Sequence, residues 1–271
     1  MPNTCRFSWS CVLWFMVGGT WFTANVAIAD EEFKIENSVY QGDPADQGDK
    51  ADAKGKSPVS RSITRFVGGS VYDFMKEPAE IAIFEKAAQR FVLINVDRRI
   101  RAELPTKDIA VFTLQLQKLA AKNPDPLIRF SAAPSFQEKF DEAAQELTLS
   151  SEWVTYRLVL TPEPSQEVVD QYREFCDWHA RLNALLKPGS LPPFNRLSVN
   201  TILAQRRAIA SHVFLTLSPS KPGQPPTKFY SEHRVVRPLT PTDLDDVAHL
   251  RAALSDFKLV KFEQYRKAEK K

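Results

Sequence analysis

Five short apolar segments follow one another between Arg61 and Leu104, each separated from the next by only two to four residues. Connections this short leave no room for helical crossovers, so neighbouring segments must pair antiparallel. Gly68-Gly69 supplies the positive φ angles that a two-residue hairpin loop requires. The spacing therefore predicts an antiparallel meander with strands at 62–67, 70–75, 80–85, 90–95 and 98–104.

The polarity of these segments predicts how the sheet is covered. Residues 91–94 (Phe-Val-Leu-Ile) are apolar on both sides of the pleat, and we expect both faces of the sheet to be covered there. The stretch 153–160 is interpreted in the same way. In the last strand of the meander Ile100, Ala102 and Leu104 alternate with charged residues, which predicts one solvated face.

The rest of the chain alternates between predicted helices and strands, which favours an α+β fold. We predict an edge strand over 33–40, followed by a mobile loop, and a first helix that Thr106 caps. The helices are expected at 106–122, 165–186 and 199–206 and from Thr240, and the further strands at 127–132, 135–140, 146–150, 153–160, 209–217 and 228–238. The predicted organisation is a signal peptide at 1–29, the N-terminal strand and loop at 30–60, and one α+β domain at 61–271.

The N-terminus has the three parts of a secretory signal peptide. Arg6 is the only charged residue before Asp30, and the run between them contains the apolar block 12–17 and ends in the small residues Ala27-Ile28-Ala29. We predict cleavage after this ending and an exported protein, periplasmic or extracellular. Retention of the segment as an anchor is the alternative, because the uncharged run is long enough to cross a bilayer. No transmembrane span is expected after cleavage.

Composition narrows the classes of partner. Two of the three cysteines lie in the predicted signal peptide, so Cys176 alone remains and no internal disulfide is expected. Charges are nearly balanced, with 36 Lys and Arg against 33 Asp and Glu, and the only dense basic cluster lies at 266–271. Binding to phosphate backbones needs a larger basic surface, so no nucleic acid partner is expected.

Cys176 and His179 are the candidate catalytic pair. They lie three residues apart on the predicted helix 165–186 and so share one side of it, and a thiol beside an imidazole is the core of a cysteine nucleophile. The same positions continue the apolar face of the helix, however, and packing explains them more simply. No cysteine-hydrolase signature surrounds them.

His212 and His233 are the candidate metal ligands. They lie on the last two predicted strands, where antiparallel pairing is expected to bring them near each other. Without a third ligand they make a poor metal site, and ordinary sheet positions are the alternative interpretation. The chain has no phosphate-binding glycine loop and no nucleophile elbow, so no cofactor is expected.

Two stretches carry a resemblance to a known family: residues 64–74 (Thr-x-Phe-x-Gly-Gly-x-Val-Tyr-Asp-Phe) and 91–99 (Phe-Val-Leu-Ile-x-Val-x-Arg-Arg). Strands of this kind, in a meander followed by a helix, resemble over residues 61–160 the curved-sheet proteins typified by the bacterial lipoprotein carriers LolA and LolB. The resemblance implies a curved antiparallel β-sheet, an incomplete barrel with covering helices, whose apolar concave side holds acyl chains. The full chain also resembles exported bacterial proteins, which implies no activity.

The leading functional hypothesis is an exported, non-enzymatic binding or carrier-like protein with an apolar concavity. Its partner is expected to be a lipid or a lipidated protein, and the candidate lining is Phe91, Leu93, Trp153 and Tyr156. One alternative is a structural or interaction module of the cell envelope without a ligand. The other is a thiol-dependent enzyme that uses Cys176 and His179.

Overall fold

Twelve strands form one sheet in the part of the chain that the computed structural model describes, which comprises residues 30–42, 57–76, 79–163, 165–220 and 223–267. The predicted signal peptide and most of the loop predicted after the first strand lie outside these ranges. The strands are β1 Phe33–Gln41, β2 Ser60–Val67, β3 Ser70–Met75, β4 Glu80–Glu85, β5 Arg90–Asn95, β6 Ile100–Pro105, β7 Gln137–Asp141, β8 Glu146–Ser150, β9 Val154–Pro162, β10 Ala208–Leu217, β11 Thr227–Val236 and β12 Lys258–Leu259.

Six α-helices accompany the sheet in the described residues. They are α1 Thr106–Ala120, α2 Pro126–Phe130, α3 Gln166–Leu186, α4 Phe194–Gln205, α5 Pro241–Ala253 and α6 Phe262–Lys267, and a 3₁₀ helix spans Leu254–Asp256. No helix in this part of the chain is long and apolar enough to span a membrane.

The sheet has the order β12-β6-β5-β4-β3-β2-β1-β11-β10-β9-β8-β7 and is curved and open, not closed into a barrel. Every pairing is antiparallel except that of β12 with β6. The predicted α+β fold with a curved antiparallel sheet and covering helices is therefore confirmed. The predicted meander is also confirmed, and Gly68 and Gly69 form its first turn with φ angles of 56° and 70°.

The sequence predicted an edge strand at 33–40, but the first strand lies inside the sheet. β1 pairs with β2 on one side and with β11 on the other, so it lies at the centre and joins two meanders. The partner β11 comes from the far end of the chain, and the local pattern of 33–40 contains no information about so distant a segment. The predicted edge strand therefore joins the two halves of the sheet.

Two local predictions are wrong, and both concern the residues at which a helix begins. Residues predicted as the strand 127–132 form α2 instead, since Pro126 takes the first helical position and the Asp125 side chain accepts a hydrogen bond from the Leu127 N–H at 2.9 Å. Thr106 was expected to cap α1, but Pro105 occupies the cap position. The Thr106 hydroxyl instead donates to the Gln89 carbonyl at 3.0 Å.

Both faces of the sheet carry helices. On the inner face, defined as the side against α3 and α4, Phe66 and Phe91 pack with Phe175 of α3, and a second core forms between β8–β10 and α4. On the outer face, Val92 and Ile94 pack with Val247 of α5. This double cover confirms the interpretation of residues 91–94. In β9, by contrast, buried side chains alternate with partly buried ones, so the full cover of both faces expected for 153–160 is not found.

Asp243 fixes α5 to the outer face. Its carboxylate is buried and accepts hydrogen bonds from Lys34 Nζ of β1 and Arg65 Nε of β2, both at 2.9 Å, and it closes a capping box with Thr240. Burial disfavours the charged form of Asp243, but hydrogen bonds from Lys34, Thr240 and Arg65 outweigh it and hold the pKa well below its ordinary value.

Replacing Asp243 by Asn is expected to lower the free energy of unfolding by about 3 kcal/mol, because two cations then face each other without their shared counter-charge. Urea unfolding at pH 7.5 measures the change. Asp245→Ala, on an exposed position of the same helix, is the control and should stay within about 0.5 kcal/mol of the wild type. A loss in D243N no larger than in the control would contradict this account.

Candidate functional site

A cavity of about 180 Å³ lies between the inner face of the sheet and helices α3 and α4. We call it the inner cavity. Most of its lining is polar or titratable, in contrast to the apolar concavity that the sequence led us to expect. The lining residues are Ile35, Asn37, Ser62, Thr64, Asp73, Tyr172, Phe175, Cys176, His179, Ala180, Asn183, Arg196 and His233.

Helical periodicity explains how α3 contributes to this lining. Tyr172, Cys176, His179 and Asn183 recur at spacings of three and four residues and therefore share one side of the helix. The helix starts where the sequence predicted, since the Ser165 hydroxyl accepts a hydrogen bond from the Val168 N–H at 3.3 Å. The resulting stripe of polar side chains faces the sheet.

Asp73 supplies the carboxylate of the inner cavity. It is 2% exposed on β3, accepts a hydrogen bond from Thr64 Oγ1 at 2.7 Å, and faces His179 Nε2 at 3.6 Å. The last distance is too long for a hydrogen bond. Burial lowers the pKa of His179 and outweighs the opposing effect of Asp73, so the ring is mostly neutral at pH 7.

His233 is held on both sides by hydroxyl groups. Its Nδ1 lies 3.0 Å from the Tyr172 hydroxyl and its Nε2 lies 2.8 Å from Ser231 Oγ. Burial first, and the Arg196 guanidinium second, lower the pKa of His233 to about 3. The imidazole therefore stays neutral throughout the physiological range.

This neutral His233 predicts a loss of stability in acid. Below about pH 6.5, His233 is protonated in the unfolded chain but stays neutral in the folded protein. The free energy of unfolding should therefore fall by about 2 kcal/mol between pH 7.5 and pH 5. Urea unfolding of His233→Gln at the two pH values should show a pH dependence smaller by that amount. His249→Gln, on an exposed position of α5, should keep the wild-type dependence. Equal pH dependence in H233Q and wild type would refute the prediction.

Cys176 lines the inner cavity but is not activated. The side chain is half-buried, and burial raises the pKa of its thiol despite opposing effects of Arg196 and Tyr172. The structure places His179 in the same cavity, yet the charged group beside that ring is Asp73, and the hydrogen-bond partners of the thiol are Tyr172 and Arg196. A thiol of raised pKa is a poor nucleophile near neutral pH.

Alkylation tests this state of Cys176 directly. We expect iodoacetamide to modify Cys176 at least about tenfold more slowly in the native protein than in urea at pH 8, because burial keeps the thiol protonated and restricts access. Mass spectrometry of the peptide that contains Cys176 measures both rates. Faster modification of the native protein would instead indicate an activated thiol and support the enzyme hypothesis.

An apolar groove adjoins the inner cavity along α3. The groove has a volume of about 420 Å³, and its floor is formed by apolar side chains of β3–β5 and of the C-terminal half of α3. His179 and Asn183 line both spaces. The apolar lining is Met75, Ile81, Ala82, Leu93, Leu182, Leu186 and the ring of Tyr265, and the polar residues Glu80, Asn95, Arg98 and Lys187 complete the wall.

A polar cleft of about 600 Å³ lies along strands β1, β2, β10 and β11. Asn37, Ser62 and His233 line both this cleft and the inner cavity, and charged side chains such as Arg61 and Lys76 complete its wall.

The four residues predicted to line an apolar concavity are not brought together. Leu93 lines the apolar groove, whereas Phe91 stacks on Phe84 at 4.9 Å inside the first core. Trp153 and Tyr156 pack in the second core beneath α4. Six strands separate β5 from β9, which is roughly 34 Å of sheet at ~4.8 Å per strand.

His212 and His233, the candidate metal ligands, lie on paired strands and both line the polar cleft. The register pairs His212 with Glu232, and the two rings have separate hydrogen-bond partners, Ser211 for His212 and Tyr172 with Ser231 for His233. No cluster of three or more His, Cys, Asp or Glu side chains suited to a metal ion occurs among the residues that the structure describes.

Sequence reasoning missed Asp73, Tyr172 and Arg196. Asp73 has the same strand parity as the buried Val71 and therefore faces α3. The sequence signal that could have identified the inner cavity was the stripe of polar residues on the otherwise apolar side of α3.

Comparison with known proteins gives no indication of the function of this site. A scan against protein-family models finds no match, and a search among curated proteins finds no significant match.

Proposed function

We propose that the protein is an exported, non-enzymatic carrier-type protein that binds a single-chain amphiphile, with the apolar chain in the groove beneath α3. The observation that carries this proposal is the groove itself, an accessible space with an apolar floor between sheet and helix. Its volume of about 420 Å³ is within the ~300–1,000 Å³ typical of small-molecule sites.

The wall of the groove favours an amphiphile over a purely apolar ligand. Leu93, Leu182 and Leu186 offer surface to a hydrocarbon chain, whose transfer from water is favourable by roughly 25 cal/mol per Å² buried. Arg98 and Lys187 line the same groove and add positively charged groups to its wall. A ligand with one chain and one polar end satisfies both parts of the wall.

The chemistry of the inner cavity supports binding without turnover. The lowered pKa values of His179 and His233 make both rings weak bases, the pKa of Cys176 is raised, and Asp73 is engaged by Thr64. A strong base beside an activated nucleophile is thus not assembled among these side chains. The signal-peptide pattern and the resemblance to the lipoprotein carriers support export and a lipid or lipidated partner in the same way.

The proposal predicts that filling the groove abolishes binding. Ala82→Phe places a ring over the groove floor and should weaken binding of decanoic acid, measured by isothermal titration calorimetry, by at least about tenfold. Ala110→Phe is the matched control, because Ala110 lines a different cleft, between α1 and α3, and its affinity should equal that of the wild type. Circular dichroism confirms that both variants fold.

Failure of the wild-type protein to take up either decanoic acid or 1-decanol would contradict the carrier proposal. Equal weakening in A82F and A110F would contradict the placement of the chain in this groove.

The interaction-module alternative is favoured by one surface feature. Helix α1 exposes Val111, Leu114 and Leu119, whose exposed fractions are 54, 60 and 70%. Exposed apolar side chains on one helix are typical of surfaces that contact another macromolecule. This alternative predicts concentration-dependent self-association or envelope-protein contacts that Leu114→Glu and Leu119→Glu abolish, with no dependence on Ala82.

A further inference from the structure

Arg196 is a half-buried cation without a carboxylate partner. It lies in the first turn of α4 and lines the inner cavity, where it interacts with Cys176, Tyr172 and Tyr156. Burial raises the pKa of each of these three groups, so all of them are neutral at pH 7. Within the described part of the chain, no Asp or Glu forms an ion pair with Arg196.

The one carboxylate among the lining residues that the structure describes is committed elsewhere. Asp73 accepts the Thr64 hydroxyl and faces His179. Asn37, on β1, adds a second group whose bonding is incomplete, because its side-chain oxygen is buried without a hydrogen-bond partner. The unsatisfied atom of Asn37 is an acceptor, which a donor and not an anion would meet, whereas Arg196 lacks a counter-charge.

A half-buried guanidinium without a counter-charge is costly, since it loses part of its hydration and no anion replaces it. The planar guanidinium fork matches the two oxygens of a carboxylate or of a phosphate, and the smaller carboxylate suits a cavity of about 180 Å³. The N-terminus of α4 adds partial positive charge, and no acidic residue lies in its first turn.

We propose that Arg196 anchors the carboxylate head of a single-chain carboxylic acid in the inner cavity, with the chain passing His179 and Asn183 into the apolar groove. This inference rests on the proposed carrier function and specifies its ligand class. The distance along α3 from Cys176 to Leu186 is about 15 Å, at ~1.5 Å per residue. The ligand is therefore an extended chain with a head at one end, and not a compact anion.

The test compares two ligands that differ only in the head group. Decanoate and 1-decanol are titrated at pH 7.5 into the wild-type full chain and into Arg196→Met, Arg196→Lys and Arg181→Met. We expect the wild type to prefer decanoate by at least about tenfold, the range of one charge-assisted hydrogen bond. R196M should weaken the binding of decanoate much more than that of decanol and so lose this preference, and R196K should keep part of it.

Arg181 provides the matched control. It lies on α3 but stacks on Trp178 in the cleft beside α1, away from the inner cavity, so R181M should keep the wild-type preference. The thermal midpoint of R196M is expected at or above that of the wild type, because an uncompensated enclosed charge has been removed.

The outcomes separate the two proposals. If the wild type binds neither ligand, the carrier function fails. If it binds both with equal affinity, or if R196M weakens both equally, the carrier function stands and the anchor role of Arg196 is overturned. A lower thermal midpoint in R196M that R196K restores, with the decanoate preference retained in R196M, would assign Arg196 a structural role and also overturn the inference.

Discussion

The pairing of β1 with β11 is the interaction on which the rest of the structure depends. It joins eight residue pairs from opposite ends of the described chain, and it turns two separate meanders into one sheet. Asn37 faces His233 across this pairing and Ser62 on its other side. The inner cavity exists because these strands meet beneath α3, and neither meander alone contains all of its walls.

A polar interior of this kind has a cost that packing elsewhere must offset. Most of its groups are paired locally: Thr64 donates to Asp73, and hydroxyl groups meet both nitrogens of His233. Arg196 has no carboxylate partner, and the side-chain oxygen of Asn37 has no hydrogen-bond partner. Incomplete pairing in an otherwise well-satisfied core is expected at functional sites, where local rules of stability are broken in favour of a ligand. The two apolar cores and the Asp243 network supply the compensating stability.

Local patterns were sufficient for much of the fold. Gly68-Gly69, the Ser165 cap and the Thr240-Asp243 capping box each specify their own turn or helix start, and the structure has all three where the sequence placed them. Residues 91–94 correctly predicted two covered faces, because a strand of that polarity has no stable alternative. These features depend on neighbours within a few residues, so the sequence contains what is needed to find them.

The errors arise where distant segments decide the outcome. The central place of β1, the one-residue offset between His212 and His233, and the separation of Phe91 from Trp153 all depend on strand order, which short patterns do not encode. Asp73 is an example at the level of a single residue. The alternation along β3 shows from the sequence which face Asp73 lies on, but its burial depends on α3, which lies almost a hundred residues later.

Burial has opposite consequences for catalysis and for recognition in this cavity. It lowers the basicity of His179 and His233 and keeps the thiol of Cys176 protonated, which weakens the groups that proton transfer and nucleophilic attack require. Restricted access of water has the opposite effect on the attraction between Arg196 and an anion, which becomes stronger because less water screens it. The proposed carrier function rests on this contrast between weakened acid–base chemistry and strengthened charge recognition.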